Sequence, residues 1–385
     1  VRFHVVGLPH TRTSPEFSAC AYTQKIRRFC TMMASLGHEV YHYGAEGSEV
    51  DCTGHVTVIT RAEQERYFGD YDWHRHTFRL KWDPEEPYWK VMNMRAAAEI
   101  IARKQRGDFL CLIGGTCQKP IADLVGEADV LTVEYGIGYT GVFAKFRVFE
   151  SYTHQAAIAG MLSGDPDGRL YDAVIPNSYD LEEFPYCPDK GDHMLFMARL
   201  ISRKGLQVAI ETAHAAGVNL VLAGQGVKEL TATKLTTEEG VEIPLGDGIE
   251  YAGYADSAKR SDLMGHARCL ILPTTFMEPF GGVVVEAALC GTPAVTTDYA
   301  VFAETVRQGV TGFRCHTLAQ FVEAVKRCPT LDTAKIREIA TANYATARVK
   351  YMYQTYFEML SGLWREGWPM LGEGAVPDLK WLEKA

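Results

Sequence analysis

The sequence predicts an α/β fold made of two doubly wound halves, each a parallel sheet with helices on both faces. Three observations carry this. At 385 residues the chain is longer than one ordinary hydrophobic core organises. Short apolar runs alternate with helix-period segments along it, the order that produces parallel sheets. A segment rich in turn residues, Pro185-Tyr-Cys-Pro-Asp-Lys-Gly191, interrupts the alternation near the middle and reads as a hinge.

Taken in order, the first half offers strands at about Arg2–Leu8, His38–Tyr43, His55–Thr60, Phe109–Ile113, Val130–Glu134 and Ala173–Pro176. Helical patterns lie between most of them, notably Ser18–Leu36 and Tyr88–Lys104. From Asp192 the pattern restarts, with strands at Met194–Ala198, Leu220–Ala223, Ile249–Tyr251, Cys269–Leu272 and Ala294–Thr296. Gln207–Ala216 and Leu318–Cys328 are two of its helices, and Thr333–Leu363 reads as one long amphipathic helix that returns to the first domain. The predicted domains are 1–185 and 192–340, followed by a helix and tail over 341–385. Ligands of such sheets bind beyond the carboxyl ends of the strands, so a cleft shared by two facing domains is the expected active site.

Composition narrows the class. The chain is 47% hydrophobic and 23% charged, as globular proteins are. It has no run of about 18 apolar residues that would cross a membrane. Val1-Arg-Phe-His-Val-Val-Gly7 reads as a first strand rather than a signal peptide. A net charge of −9 argues against a wholly basic nucleic-acid binder while leaving room for a local basic groove. The ten cysteines are scattered, with no Cys-x-x-Cys and no His/Cys cluster at metal spacing. That pattern predicts reduced thiols, a cytoplasmic location and no metal site.

The most informative stretch is Glu278-Pro-Phe-Gly-Gly-Val-Val-Val-Glu286, which follows the buried strand Cys269–Leu272 and opens a helix that stops at Gly291. Gly281 and Gly282 sit where backbone N–H groups meet an anion with a helix dipole behind them. Carboxylates on both sides suit a ligand with phosphates and hydroxyls, such as a nucleotide-sugar. Arg199 follows the first strand of the second half and Lys204-Gly205 comes five residues later. These cations suit a diphosphate, or are ordinary surface-loop charges. Leu222-Ala-Gly-Gln-Gly226 is a further glycine turn. At Gly253-Tyr254 a strand ends where backbone groups can meet a nucleobase.

Arg199…Lys204-Gly205, the Leu-Ala-Gly-Gln-Gly turn, Glu278-Pro-Phe-Gly-Gly…Glu286-Ala-Ala-Leu-Cys-Gly-Thr-Pro293 and Gly309-Val-Thr-Gly312 occur in that order. Over about residues 173–325 the chain resembles the nucleotide-binding domain of GT-B glycosyltransferases of family 4, the large retaining family. Val174-Ile-Pro-Asn177…Asp180…Phe184 resembles the segment before that family's linker. The resemblance implies two Rossmann-like domains facing a central cleft, and a nucleotide-sugar donor with UDP as the default base and GDP as the alternative. It implies that Arg199 and Lys204 hold the departing diphosphate, Glu286 the ribose and Glu278 the transferred sugar. Backbone N–H groups around Phe280, Gly281 and Gly282 would touch sugar and phosphate. It further implies a front-face mechanism that calls for no metal.

The first half matches less well. Family members often carry a His at the end of a middle strand, where this chain reads Leu131-Thr-Val-Glu134. Glu134 either binds sugar hydroxyls or polarises the acceptor hydroxyl, or is a helix-capping or hinge residue. Gly7-Leu-Pro-His10-Thr11 ends the first strand and is a second candidate for the cleft; His154, on a helix, is a third that structure alone explains as well. For the acceptor two features stand out: a helix bearing Lys25, Arg27 and Arg28, and the aromatic and basic stretch from Tyr67 to Lys90. Such a stretch stacks bases or sugars, or packs an inserted hairpin; the basic helix also suits an anionic membrane surface. Phe3-His-Val-Val-Gly-Leu-Pro-His-Thr11 and Glu134-Tyr-Gly-Ile-Gly-Tyr139 resemble glycosyltransferases of phage and environmental viral sequences. Some phage glycosyltransferases decorate hydroxymethylated pyrimidines in DNA, and the resemblance therefore implies a DNA acceptor and a host-cytoplasm location. A glycan or lipid acceptor, and a non-catalytic nucleotide-sugar binding module, are the alternatives. The sequence is silent on oligomeric state.

Overall fold

A computed structural model describes residues 1–163 and 168–363. The chain forms two compact units. The first comprises Val1–Asp70, Arg79–Ser178 and the helix that begins at Thr346; the second comprises Tyr71–Phe78 and Tyr179–Ala345. The chain thus passes between units at Ser178/Tyr179, and residues 185–191 lie inside the second.

In the first unit the order is β1 (Arg2–Val6), α1 (Ala21–Ser35), β2 (Glu39–Ala45), β3 (Gly54–Ile59), α2 (Arg61–Phe68), α3 (Pro87–Arg103), β4 (Asp108–Leu112), α4 (Lys119–Val125), β5 (Val130–Ile137), β6 (Phe146–Phe149), α5 (Tyr152–Ser163) and β7 (Ala173–Val174). Among the described residues its strands form one sheet, β3-β2-β1-β4-β5-β6-β7, every neighbouring pair parallel. A sheet covered on both faces has no polar side, which is why β4 is buried at every residue.

The second unit continues with β8 (Met194–Met197), α6 (Leu206–Ala216), β9 (Leu220–Ala223), β10 (Val227–Leu230), β11 (Lys234–Thr237), β12 (Glu242–Pro244), β13 (Ile249–Gly253), α7 (Ser257–His266), β14 (Cys269–Leu272), α8 (Gly282–Leu289), β15 (Ala294–Thr297), α9 (Phe302–Thr305), β16 (Gly312–Cys315), α10 (Leu318–Arg327) and α11 (Thr333–Tyr344). Its main sheet has the order β13-β9-β8-β14-β15-β16 and is parallel throughout. Strands β10, β11 and β12 form a separate antiparallel sheet between β9 and β13 in sequence. Counted from its own first strand, each main sheet begins with the winding 3-2-1-4-5-6 of dinucleotide-binding folds. Such a sheet reverses direction between its strands 1 and 4, here β1/β4 and β8/β14.

Where one long helix is expected over Thr333–Leu363, the structure has α11 and, from Thr346 to Gly362, α12. Ala345 between them is extended (φ −62°, ψ 137°). A tertiary contact overrides the helical period there: Tyr179 N–H donates to the Tyr344 carbonyl at 2.9 Å, and Tyr179 and Ala345 form a parallel bridge. Helix α12 belongs to the first unit, where Phe357 packs edge-on against Phe3 (4.7 Å between centroids) and Phe109 (4.8 Å). The tail from residue 367 lies outside the described residues. All ten cysteines are free thiols.

Candidate functional site

The turns that leave β8 and β14 lie on either side of the reversal at the carboxyl end of the second sheet, the place where ligands of such sheets bind. After β8 come Arg199, a 3-10 turn at Ser202–Lys204 and Gly205. Gly205 has φ +81°, and a Cβ on it would lie 2.1 Å from the Pro273 carbonyl oxygen. Only glycine allows this approach, and the approach sets the β8 turn against the β14 turn. The Lys204 ammonium then meets the Glu278 carboxylate in an ion pair whose side chains are only 13% and 9% exposed. Burial lowers the pKa of Lys204, and the charge of Glu278 works the other way. Phe276 lies 5.3 Å from the Lys204 nitrogen and 4.4 Å from the Arg203 guanidinium carbon.

The β14 turn enters α8 through two glycines. Gly281 (φ +70°) is the N-cap and no side chain caps it; Val284 N–H donates to the Gly281 carbonyl at 2.9 Å, and the N–H groups of Gly282 and Val283 precede it at the helix start. A Cβ on Gly282 would lie 2.7 Å from the Tyr179 hydroxyl. Phe280 is buried edge-on against Tyr344. One turn into α8, Glu286 is 9% exposed and accepts a hydrogen bond from Arg260 Nε at 2.6 Å, with a second guanidinium nitrogen on the same oxygen. Arg260 stands on α7. Sequence reasoning missed it because an Arg in the first turns of an Asp-capped helix looks like any exposed helical cation.

At the sheet edge, the Gly253 carbonyl accepts from Gly224 N–H at 3.0 Å, and Tyr254 follows. The aromatic and basic stretch does not act as one piece. Its segment Tyr71–Phe78 belongs to the second unit, where Trp73 and His74 pack edge-on against Tyr254. The flanking lysines, in the first unit, are ion-paired: Lys81 with Glu86 and Lys90 with Glu85.

The structure sets the first-half candidates in a different kind of environment. Glu134 is fully buried and accepts from the Tyr139 hydroxyl (3.0 Å) and from the N–H groups of Phe143 (2.8 Å) and Ala144 (2.7 Å). Burial raises its pKa to about 7. His154 is buried, its Nε2 against the Tyr139 carbonyl at 3.2 Å, and burial lowers its pKa to about 4. His10 lies against Cys20 and Phe68, and burial lowers its pKa to about 3. Gly7 ends β1 with its carbonyl accepting from Gln118 Nε2 at 2.8 Å. Gln118 Oε1 in turn accepts from the N–H groups of Ile113 and Gly114 at the end of β4. One buried amide therefore occupies the reversal point of the first sheet.

Among the described residues no group of three His, Cys, Asp or Glu side chains is placed to hold a metal ion, and no helix is long and apolar enough to cross a membrane.

Residues 183–338 match the family described as "Glycosyl transferases group 1". The glycogen synthase of Mycobacterium tuberculosis is 30% identical over 152 residues, which is 37% of this chain and 35% of that protein. The matched part of the chain spans about a third of the length of the first curated relatives. Among solved structures, a glycosyltransferase involved in avilamycin A biosynthesis superposes with a TM-score of 0.63 at 19% identity, covering 94% of this chain and 98% of that one. The fold is GT-B. Anabaena HepE, solved in complex with UDP and glucose, gives a TM-score of 0.63 at 15% identity and covers 94% of this chain and 99% of its own. The family match includes Arg199, Lys204, Glu278 and Glu286 and leaves out Gly7, His10, Glu134 and His154.

Proposed function

We propose that this chain is a retaining glycosyltransferase that moves a hexose, glucose in the first instance, from a UDP-sugar or GDP-sugar to an acceptor hydroxyl. The observation that carries the proposal is the β8/β14 crevice. There a buried Lys204–Glu278 pair joins the turn after β8 to the turn that leads into α8, whose N-terminus has no side-chain cap and whose Glu286 is buried.

In this reading the α8 N–H groups, Lys204 and Arg199 hold the diphosphate. Glu278 receives the sugar hydroxyls and Glu286, steadied by Arg260, the ribose. The bond from the anomeric carbon to the phosphate oxygen breaks while the bond to the acceptor oxygen forms on the same face. The acceptor proton passes to the departing phosphate oxygen. The protein supplies position and positive charge where charge develops, and no step calls for a metal or for Glu134, His10 or His154 as a base.

The first acceptor to test is a hydroxymethylated pyrimidine in DNA, on the resemblance of the opening strand and the Glu134–Tyr139 segment to phage glycosyltransferases. The test is incubation with UDP- and GDP-sugars and hydroxymethylcytosine DNA, simple glycans or lipid vesicles, read by mass spectrometry and release of nucleoside diphosphate. Sugar added to one acceptor with release of UDP or GDP supports the proposal. Donor binding with no transfer or hydrolysis under any condition would make the chain a binding module instead.

A further inference from the structure

We propose that Lys190 is a positioning residue for the donor: it ties the C-terminal ends of α7 and α8 together and thereby sets Arg260 against Glu286. This rests on the donor-site reading above, in which Glu286 receives the ribose. Pro185–Gly191 reads as a hinge in the sequence, yet it lies wholly inside the second unit and runs across the ends of these two helices. Cys187 N–H donates to the Cys290 carbonyl at 3.2 Å, and Gly191 N–H to the His266 carbonyl at 2.7 Å. A Cβ on Gly191 would lie 2.7 Å from the His266 carbonyl oxygen, and one on Gly265 3.1 Å from the Cys187 Cβ. The segment is therefore a close-fitting strap.

Lys190 is the polar centre of that strap. A lysine ammonium carries three N–H donors and no acceptor. Here the half-buried Nζ meets three acceptors: the Gly265 carbonyl of α7 (2.8 Å), the Cys290 carbonyl at the end of α8 (2.9 Å) and the Thr292 hydroxyl (2.8 Å). Thr292 in turn donates to the Met264 carbonyl of α7 at 2.6 Å. Burial lowers the pKa of Lys190 to about 8, which leaves it mostly charged at neutral pH. A cation at this point serves carbonyls that helix ends leave without intrahelical partners, and it complements the negative ends of both dipoles. Arg337 adds a second cation, donating to the carbonyls of Leu289 and Phe184.

One seam leads from this clamp to the donor site. Cys290 Sγ lies 3.9 Å from the Ser261 carbonyl oxygen. Arg260, next to Ser261, pairs with Glu286, one turn before Cys290. Lys190 thus fixes the offset of α7 and α8 one turn beyond the ion pair, and a slip between the helices moves the guanidinium off Glu286. The turn that carries Glu278 enters α8 at its other end, so the phosphate contacts feel such a slip less.

Calorimetric titration of the full chain with UDP tests this, together with inorganic pyrophosphate, which lacks the ribose, read by its displacement of UDP. Each variant is titrated at a temperature where its unfolding curve shows it folded. Lys190→Met, which keeps an unbranched stem and removes the donors, is expected to weaken UDP binding about fivefold and pyrophosphate less than about twofold. In an Arg260→Ala background the same substitution is expected to change UDP affinity less than about twofold, because it acts through that pair. Thr292→Val, a milder cut in the same seam, is expected to weaken UDP about threefold with the same selectivity, and it carries the test if Lys190→Met does not fold. Lower stability with unchanged UDP affinity makes the clamp purely structural and overturns the inference. Equal weakening of both probes, or the full fivefold loss in the Arg260→Ala background, overturns it too. A parent protein that does not bind UDP refutes the donor-site reading itself, a separate outcome.

Discussion

The two units share one winding and treat its reversal point in opposite ways. In the first, Gln118 bridges the ends of β1 and β4 with both ends of its amide, so the strand-end groups are satisfied internally. In the second, the same point carries an ion pair and an uncapped helix N-terminus. Two buried charged groups of the first unit, Glu134 and Arg147, are likewise held by groups of that unit. Glu134 accepts three hydrogen bonds within its own strand-end loop, and Arg147 is clasped by Asp172 between side chains 5% and 2% exposed. The same opening winding thus carries an internally bonded turn in one half and, in the other, a buried ion pair beside a helix N-terminus without a side-chain cap. The lesson is that the fold supplies the place for a site and local turn chemistry decides whether it is used.

Four substitutions break or sharpen this contrast. The largest effect is expected from Asp172→Ala. It strands the Arg147 guanidinium in the interior and should lower stability by about 3–5 kcal/mol, read by urea unfolding. Lys204→Ala, which also leaves the buried Glu278 unpaired and so lowers stability, should cut kcat about 100- to 1,000-fold in the assay for released nucleoside diphosphate at a temperature where the variant stays folded.

Glu134 gives a pH signature. Its folded-state pKa, raised by burial to about 7, exceeds the ordinary carboxylate value, so the folded state binds the extra proton between about pH 4.5 and 7. Its contribution is therefore fully present below about pH 4.5 and is lost as pH rises toward 7, by about 3 kcal/mol at most. His10, His42 and His154, whose pKa values burial lowers, act with the opposite sign. The quantity to measure is the difference between parent and Glu134→Gln. The variant should gain relative stability as pH rises from 5 to 7.5, and a constant difference would contradict the assignment.

The smallest effect is Arg260→Ala, which leaves Glu286 without its ion-pair partner. It should raise the donor KM about tenfold with kcat nearly unchanged.

Much of the second unit was legible in the sequence because its signals are local. Strands Leu220–Ala223 and Cys269–Leu272 are short apolar runs closed by Gly and Pro, and they fold with those bounds. Gly205 and Gly281 sit at positive φ, where a side chain is strained, so their place in the motif reports backbone geometry directly. What stayed hidden is non-local. The β10–β12 sheet is built from short, mostly polar segments that carry no clear period. The break at Ala345 is imposed by Tyr179, more than 160 residues earlier. The seating of Tyr71–Phe78 on the second unit depends on Gly226, Val227 and Glu238, which no reading of residues 67–90 alone brings near. The sequence leaves Glu134 open between a substrate contact and a capping or hinge role because a carboxylate at a strand end gives no hint of the backbone N–H groups folded over it.

The central claim is that the β8/β14 crevice of the second unit binds the diphosphate of a nucleotide-sugar. Calorimetric titration of UDP into the full chain tests it most directly, with the Arg199→Ala/Lys204→Ala double variant as control. The account predicts saturable binding at one site, with a Kd on the order of micromolar, that weakens at least about 100-fold in the double variant, titrated at a temperature where its unfolding curve shows it folded. No binding by the parent, or equal affinity in a folded double variant, would contradict it.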